Sequence, residues 1–132
     1  MNKVLIVDDE ADIVGLMERA LKAESFEVIC AYDGIGALDI AEVDKPDIVL
    51  LDIMMPMMSG YEVAEQLKSN PQTRDIPILL VTSAFSPDTR ERAQRCGAQG
   101  LLVKPFIPRE LVAQVKRHIE HARQRAQTRD VE

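Results

Sequence analysis

The sequence predicts an α/β protein, an open three-layer α/β/α sandwich built on a five-stranded parallel sheet. Three observations lead there: five short, continuous apolar runs recur along the chain, stretches with helical apolar spacing separate them, and helix-start signals stand where several of those stretches begin. Continuous apolarity is what a strand shows when both of its faces are covered, whereas a half-exposed strand alternates. Five β-α repeats require parallel strands with right-handed crossovers and are too few to close an eight-stranded barrel, which leaves the open sandwich.

Each element can be justified in turn. The first strand is "KVLIV" at 3–7, and the helix after it carries Ile13, Leu16, Met17, Ala20 and Leu21 at i, i+3, i+4, i+7, i+8, a stripe expected to lie on the sheet. The second strand, "FEVICA" at 26–31, ends in "CAYDG", whose Asp33-Gly34 reads as turn and cap chemistry. The third, "DIVLLD" at 47–52, is followed by Ser59 and Glu62 in capping-box spacing. The fourth, "PILLVT" at 77–82, precedes Ser86-Pro87, where proline suits a first helical turn. That helix offers little beyond Ala93 and Cys96 to a core and is expected to be the loosest of the five. The fifth strand is "GLLVK" at 100–104, and the last helix starts at Ile107-Pro108 and carries Leu111, Val115, Ile119 and Ala122. The apolar stripe stops there, so one domain is expected over 1–122, with 123–132 as a C-terminal tail or linker.

Composition narrows the class of function. A chain of 132 residues holds one core of ordinary size, and with 4% aromatic residues and no Trp that core must be aliphatic. The net charge of −6 argues against direct nucleic-acid binding by this domain, because a phosphate-binding surface needs a basic patch. The basic run "KRHIEHARQRAQTR" is interleaved with helix-spaced apolar residues, as a solvated helix face would be. The opening "VLIV" is too short for a signal peptide or a membrane span, which points to a cytoplasmic protein without a membrane partner. Cys30 and Cys96 lack paired spacing and are expected to be free, bystander thiols.

Chemistry is expected at the carboxyl ends of the strands, where open parallel sheets bind their ligands. There the first strand delivers Asp8-Asp9, the third Asp52, the fourth Thr82-Ser83 and the fifth Lys104-Pro105. Any one of these is ordinary turn chemistry, but an acid pair, an acid, a hydroxyl and a lysine on one edge form a constellation. Carboxylates gathered there would repel one another unless a cation joined them. Mg2+ suits the set, since it takes oxygen ligands and usually only one or two carboxylates together with a phosphate. Lys104 and Thr82 supply a positive charge and a hydroxyl suited to phosphoryl oxygens.

Over nearly the whole chain, from about Lys3 to Ala122, these residues resemble the receiver domain of bacterial response regulators. The matching stretches are "VLIVDDE", "LLDIMMPMMSG" against the pattern D-x-x-M-P-x-M-x-G, "VTSA", and "CGAQGLLVKPF" against G-A-x-x-x-x-x-K-P-F. The resemblance implies a flavodoxin-like (βα)5 fold and a phosphorylation-activated switch in a two-component phosphorelay. It implies that Asp52 accepts a phosphoryl group from a phosphohistidine of a sensor kinase. Mg2+ would be held by Asp9, Asp52 and the backbone carbonyl of Met54, with Asp8 acting through water. Thr82 and Lys104 would bind the phosphoryl oxygens, the Lys104-Pro105 peptide being cis. Implied partners are a sensor histidine kinase or phosphotransfer protein, a downstream protein target, and a second copy of the chain in a phosphorylation-dependent homodimer.

Several positions depart from the family pattern. The switch position three residues before the lysine, commonly Tyr or Phe, is Leu101, which offers less buried area and no hydroxyl; output is expected to rely more on rearrangement of the weakly anchored fourth helix. Met54 and Ala84, two residues after Asp52 and Thr82, cannot orient a hydrolytic water, which predicts slow self-dephosphorylation. Ser83 adds a hydroxyl with no assigned role. His118 and His121 are expected to be surface residues of the last helix. Two alternatives belong to other classes: a Mg2+-dependent aspartyl phosphohydrolase, disfavoured because Met54 stands where such enzymes keep an acid, and a docking module that keeps the fold without phosphorylation. The expected chain is a phosphoacceptor with at most self-phosphorylation and self-dephosphorylation activity.

Overall fold

The structure is a computed structural model and describes residues 2–131, with side chains described as far as residue 127. The elements alternate as β1 (Lys3–Val7), α1 (Ala11–Lys22), β2 (Glu27–Ala31), α2 (Gly34–Asp44), β3 (Ile48–Asp52), α3 (Gly60–Ser69), β4 (Ile78–Thr82), α4 (Pro87–Arg95), β5 (Gly100–Val103) and α5 (Pro108–Val131). All strands pair in parallel, in the order β2-β1-β3-β4-β5. Chain order reverses between β1 and β3, so the crevice of an open sheet opens at their carboxyl ends.

The period-2 alternation of the strands sorts their side chains into two cores. Leu5, Val7, Val49, Leu51, Ile78 and Leu80 pack with Ala37 and Ala41 of α2, Val63 and Leu67 of α3, and Ala93 of α4. Val4, Ile6, Ile48, Leu50, Leu79, Val81 and Leu102 pack with Met17 and Leu21 of α1 and Leu111, Val115 and Ile119 of α5. β3 and β4 are buried at every position, which is why they read as unbroken apolar runs.

The helix starts follow local hydrogen bonding. Asp33 caps α2 by accepting from Gly36 N at 2.7 Å, and Ser59 and Glu62 form a reciprocal capping box at α3. Pro87 opens α4 and Pro108 opens α5. Both cysteines are free thiols, Cys96 buried and Cys30 half-buried.

Three features differ from what the sequence predicts, and a fourth, the course of α5, adds to it. The buried face of α1 centres on Val14, Met17 and Leu21, while Leu16 is 40% exposed; the stripe is rotated because Val14, not Leu16, points at the sheet. In α4, Thr89 is buried beside Ala93, a polar member that apolar spacing could not reveal. α5 does not end where its apolar stripe ends: it runs unbroken past Ala122 to Val131, with residues 123–127 exposed, and Glu132 lies outside the described residues. His118 is not a surface residue, being 7% exposed. Its ring lies so close to Gly100 that a β-carbon there would sit 2.5 Å from Nε2. The missing side chain at Gly100 is therefore what lets α5 close on β5.

Candidate functional site

The first residue after β1 continues the alternation Val4, Ile6, Asp8, and β3 ends on Ile48, Leu50, Asp52. Since Val7 is level with Leu51 in the parallel register, these two carboxylates are delivered side by side at the switch point. Asp8 is fully buried, Asp52 is 4% exposed and Asp9 is exposed, and one carboxylate oxygen from each of the three lies within 4.8 Å of the others.

Lys104 reaches into this group from beyond β5. Its ammonium donates to Asp8 Oδ2 at 3.1 Å and stands 3.9 Å from Asp52 Oδ1, with Glu10 Oε1 at 4.0 Å. Asp8 also accepts from Glu10 N at 2.9 Å, so its two oxygens are committed to different donors. Among the described residues, Asp52 keeps only a long bond from Met54 N, 3.3 Å, on Oδ1. The nucleophile candidate is thus the less engaged of the two buried acids. Burial, and after it the charge of Asp8, push its carboxyl up from 3.8 to about 6, against the opposing pull of Lys104 and the Met54 N–H.

Thr82 ends β4 with its side chain buried, and its hydroxyl accepts from Ala84 N at 3.1 Å. The backbone of β5 closes on it through Lys104 N, which donates to Thr82 O at 2.7 Å. The Lys104-Pro105 peptide is cis. Around the opening stand Met54 (64% exposed) and Phe85 (46% exposed), and beside Lys104 an apolar hollow is lined by Ile13, Leu16, Ser83, Pro105 and Phe106.

Behind Asp52, Gly60 is indispensable as glycine: a β-carbon there would come within 2.3 Å of the Asp52 carbonyl oxygen and 2.8 Å of Ile53 Cα. The Gly60 N–H also donates to Ile53 O at 2.9 Å. α3 is therefore seated directly against the backbone that carries Asp52.

Asp8, Asp9, Asp52, Thr82 and Lys104, singled out from the sequence, all stand at the carboxyl edge of the sheet. Direct pairing of Lys104 with Asp8, and the clasp of Glu10 N on Asp8, were not foreseen; the only sequence signal for the second is that Glu10 follows the acid pair. His118 and His121 lie apart, their rings 6.3 Å from each other on α5. The donor set fits a hard divalent cation, because one carboxylate oxygen from each of three aspartates converges within 4.8 Å and such ions take oxygen ligands. Among the described residues no helix is long and apolar enough to cross a membrane.

Residues 4–116 match the family model of the response regulator receiver domain. The chain is similar to the chemotaxis protein CheY4 of Vibrio cholerae, with 36% identity over 89% of this chain and 98% of that one and a TM-score of 0.86. It is similar to the receiver domain of a sensor histidine kinase from Pseudomonas aeruginosa, with 28% identity over 90% of this chain and 98% of that one and a TM-score of 0.84; that structure has a magnesium ion coordinated in its active-site cleft. NtrX of Brucella abortus matches all of this chain with 30% of its own, at 27% identity and a TM-score of 0.91. A shared fold, a match over most of the length and an acid–hydroxyl–lysine edge place the chain in the response regulator receiver domain family, the phosphoryl-accepting signalling switches of two-component systems.

Proposed function

We propose that Asp52 is the phosphoacceptor of this receiver domain, working with Thr82, Lys104 and a Mg2+ ion held at Asp8, Asp9, Asp52 and the Met54 carbonyl. The observation that carries this is the pairing of Asp52, buried yet only weakly hydrogen-bonded, with a lysine ammonium 3.9 Å away. A carboxylate whose oxygens were both engaged would be a poor nucleophile; one held in place with a free lone pair is a competent one.

In the transfer, an Asp52 carboxylate oxygen forms a bond to phosphorus as the bond from phosphorus to the donor imidazole nitrogen breaks and its electron pair returns to the ring. Such transfer asks for in-line positioning and charge neutralisation more than for covalent help. β3, buried throughout and backed by Gly60, fixes the nucleophile. Lys104 is placed to follow the charge from Asp8 toward the phosphoryl oxygens, and the Thr82 hydroxyl can donate to another of them. The bound divalent ion supplies the remaining neutralisation of charge. Met54 is an exposed thioether and can neither accept a proton nor orient water, which favours a persistent acyl phosphate over hydrolytic turnover.

The donor is proposed to be a sensor histidine kinase or a phosphotransfer protein in the cytoplasm. The product signals by docking on a downstream protein target or on a second phosphorylated copy. The domain is proposed to occupy residues 1–122, α5 beyond that serving as a helical connection. To test the acceptor, the protein is incubated with Mg2+ and a small phosphodonor and its intact mass measured beside that of Asp52→Asn. One added phosphoryl group, labile to base and to hydroxylamine and absent from the variant, is expected. Rapid multiple turnover would instead indicate a phosphohydrolase, and no adduct would indicate a docking module.

A further inference from the structure

We infer that Thr89 is a positioning residue for Thr82, tying the hydroxyl at the phosphoryl site to α4 through the loop between them. The inference rests on the role proposed for Thr82.

Residues 83–86 join β4 to α4, and all four are exposed, so the loop has little packing of its own to fix it. It is held at each end by a buried threonine hydroxyl. At the sheet end, Ala84 N donates to Thr82 Oγ1 at 3.1 Å. At the helix end, Ser86 N donates to Thr89 Oγ1 at 2.9 Å, and the same hydroxyl lies 3.2 Å from Ser86 Oγ and 3.5 Å from the Ala84 carbonyl. Thr82 is 1% exposed and Thr89 4% exposed. A buried hydroxyl keeps its partners because losing them costs more than an exposed one would lose. Phe85 adds a second link, its ring lying 5.7 Å beneath the Arg90 guanidinium of α4.

The consequence follows from the two ends together. Turning the Thr82 hydroxyl toward a phosphoryl group on Asp52 draws it off Ala84 N unless the loop follows, and a loop that follows pulls on the Thr89 hydroxyl that holds its other end. α4 is able to answer, because its buried side chains are only Thr89 and Ala93, with Cys96 behind them. Leu101, half-buried against the same core, has a smaller side chain than an aromatic ring with which to follow a displacement of Thr82. The hydroxyl of Thr89 thereby becomes the coupling between site and helix.

The test measures amide exchange over residues 87–95 with and without the phosphoryl group, whose presence is confirmed by intact mass. Wild type is compared with Thr89→Val, Thr89→Ser and Ser86→Ala. In wild type, exchange there is expected to differ by about threefold or more between the two states. Thr89→Val, which keeps the shape and loses the hydroxyl, is expected to erase that ratio and Thr89→Ser to restore it. Ser86→Ala weakens the first turn of α4 but keeps the backbone N–H on Thr89, and is expected to retain the ratio. If Thr89 only caps the helix, Thr89→Val will speed exchange equally in both states and leave the ratio intact, which overturns the inference. A phosphorylated wild type whose α4 does not respond overturns it too. A wild type that gains no phosphoryl mass contradicts the role proposed for Asp52 instead, and removes the coupling with it.

Discussion

At the scale of single residues, Asp52 is held in a charge state that costs the fold something. Its carboxyl is raised from 3.8 to about 6, chiefly by burial and then by Asp8, so the native protein binds that proton more tightly than the unfolded chain does. Stability from this group is therefore fully present below pH 4 and is lost as pH rises through 6. At about 1.4 kcal/mol per pH unit the loss comes to about 3 kcal/mol in metal-free solution. Asp52→Asn is expected to stabilise the metal-free protein by about 2–3 kcal/mol at pH 8 and by much less at pH 4, read from urea titrations. A variant with the same gain at both pH values would show that the charge of Asp52 is not what the native state resists. His118 has the opposite sign: burial, then Arg117, His121 and Arg125, lower its pKa, so its contribution is fully present above 6.5 and is lost as pH falls below that toward its lowered folded value.

At the scale of elements, the decisive joint is where α3 meets the end of β3. The capping box of Ser59 and Glu62 starts α3 one residue before Gly60, and Gly60 lies against the Asp52 carbonyl with no room for a methyl group. Gly60→Ala must push either α3 or the backbone that carries Asp52. It is expected to cost about 1–3 kcal/mol of stability, on the scale of overpacking, and to slow phosphoryl acceptance at the same time. Two stretches of sequence made this joint legible: the run "IVLL" marked a strand covered on both faces, and the capping spacing marked the helix start. The close approach at Gly60 was not legible, because it depends on how two elements meet. The same limit explains the histidine: helix spacing places His118 beside Ile119, but only the packing of α5 on glycine-bearing β5 shows that its ring is buried, with no hydrogen-bond partner for Nε2 among the described residues. It explains Thr89 as well, since a threonine three residues after a serine reads as cap chemistry until its burial next to the site loop is seen.

At the scale of the molecule, five strand ends converge on one edge, where three aspartates and Lys104 meet. The site residues were legible as a set because a parallel sheet sends every carboxyl end the same way, so sequence order alone brings Asp8, Asp52, Thr82 and Lys104 together. Their pairing was not, since Lys104 spans the sheet to Asp8 on a side chain whose direction no pattern encodes. Mg2+ that binds the folded acid edge and not the unfolded chain is expected to raise stability by about 2.7 kcal/mol at a hundred times its dissociation constant. In Asp52→Asn most of that gain should vanish, as should the pH dependence described above; thermal unfolding with and without a chelator reads both.

The most direct measurement locates the phosphoryl group. The protein is phosphorylated by a small phosphodonor with Mg2+, reduced with borohydride, which converts an acyl phosphate of aspartate to homoserine, and its peptides are sequenced by mass. Homoserine at position 52 and at no other acid is the expected result; homoserine at Asp8 or Asp9, or a phosphoryl group on a histidine or hydroxyl, would contradict the assignment of Asp52 as the acceptor.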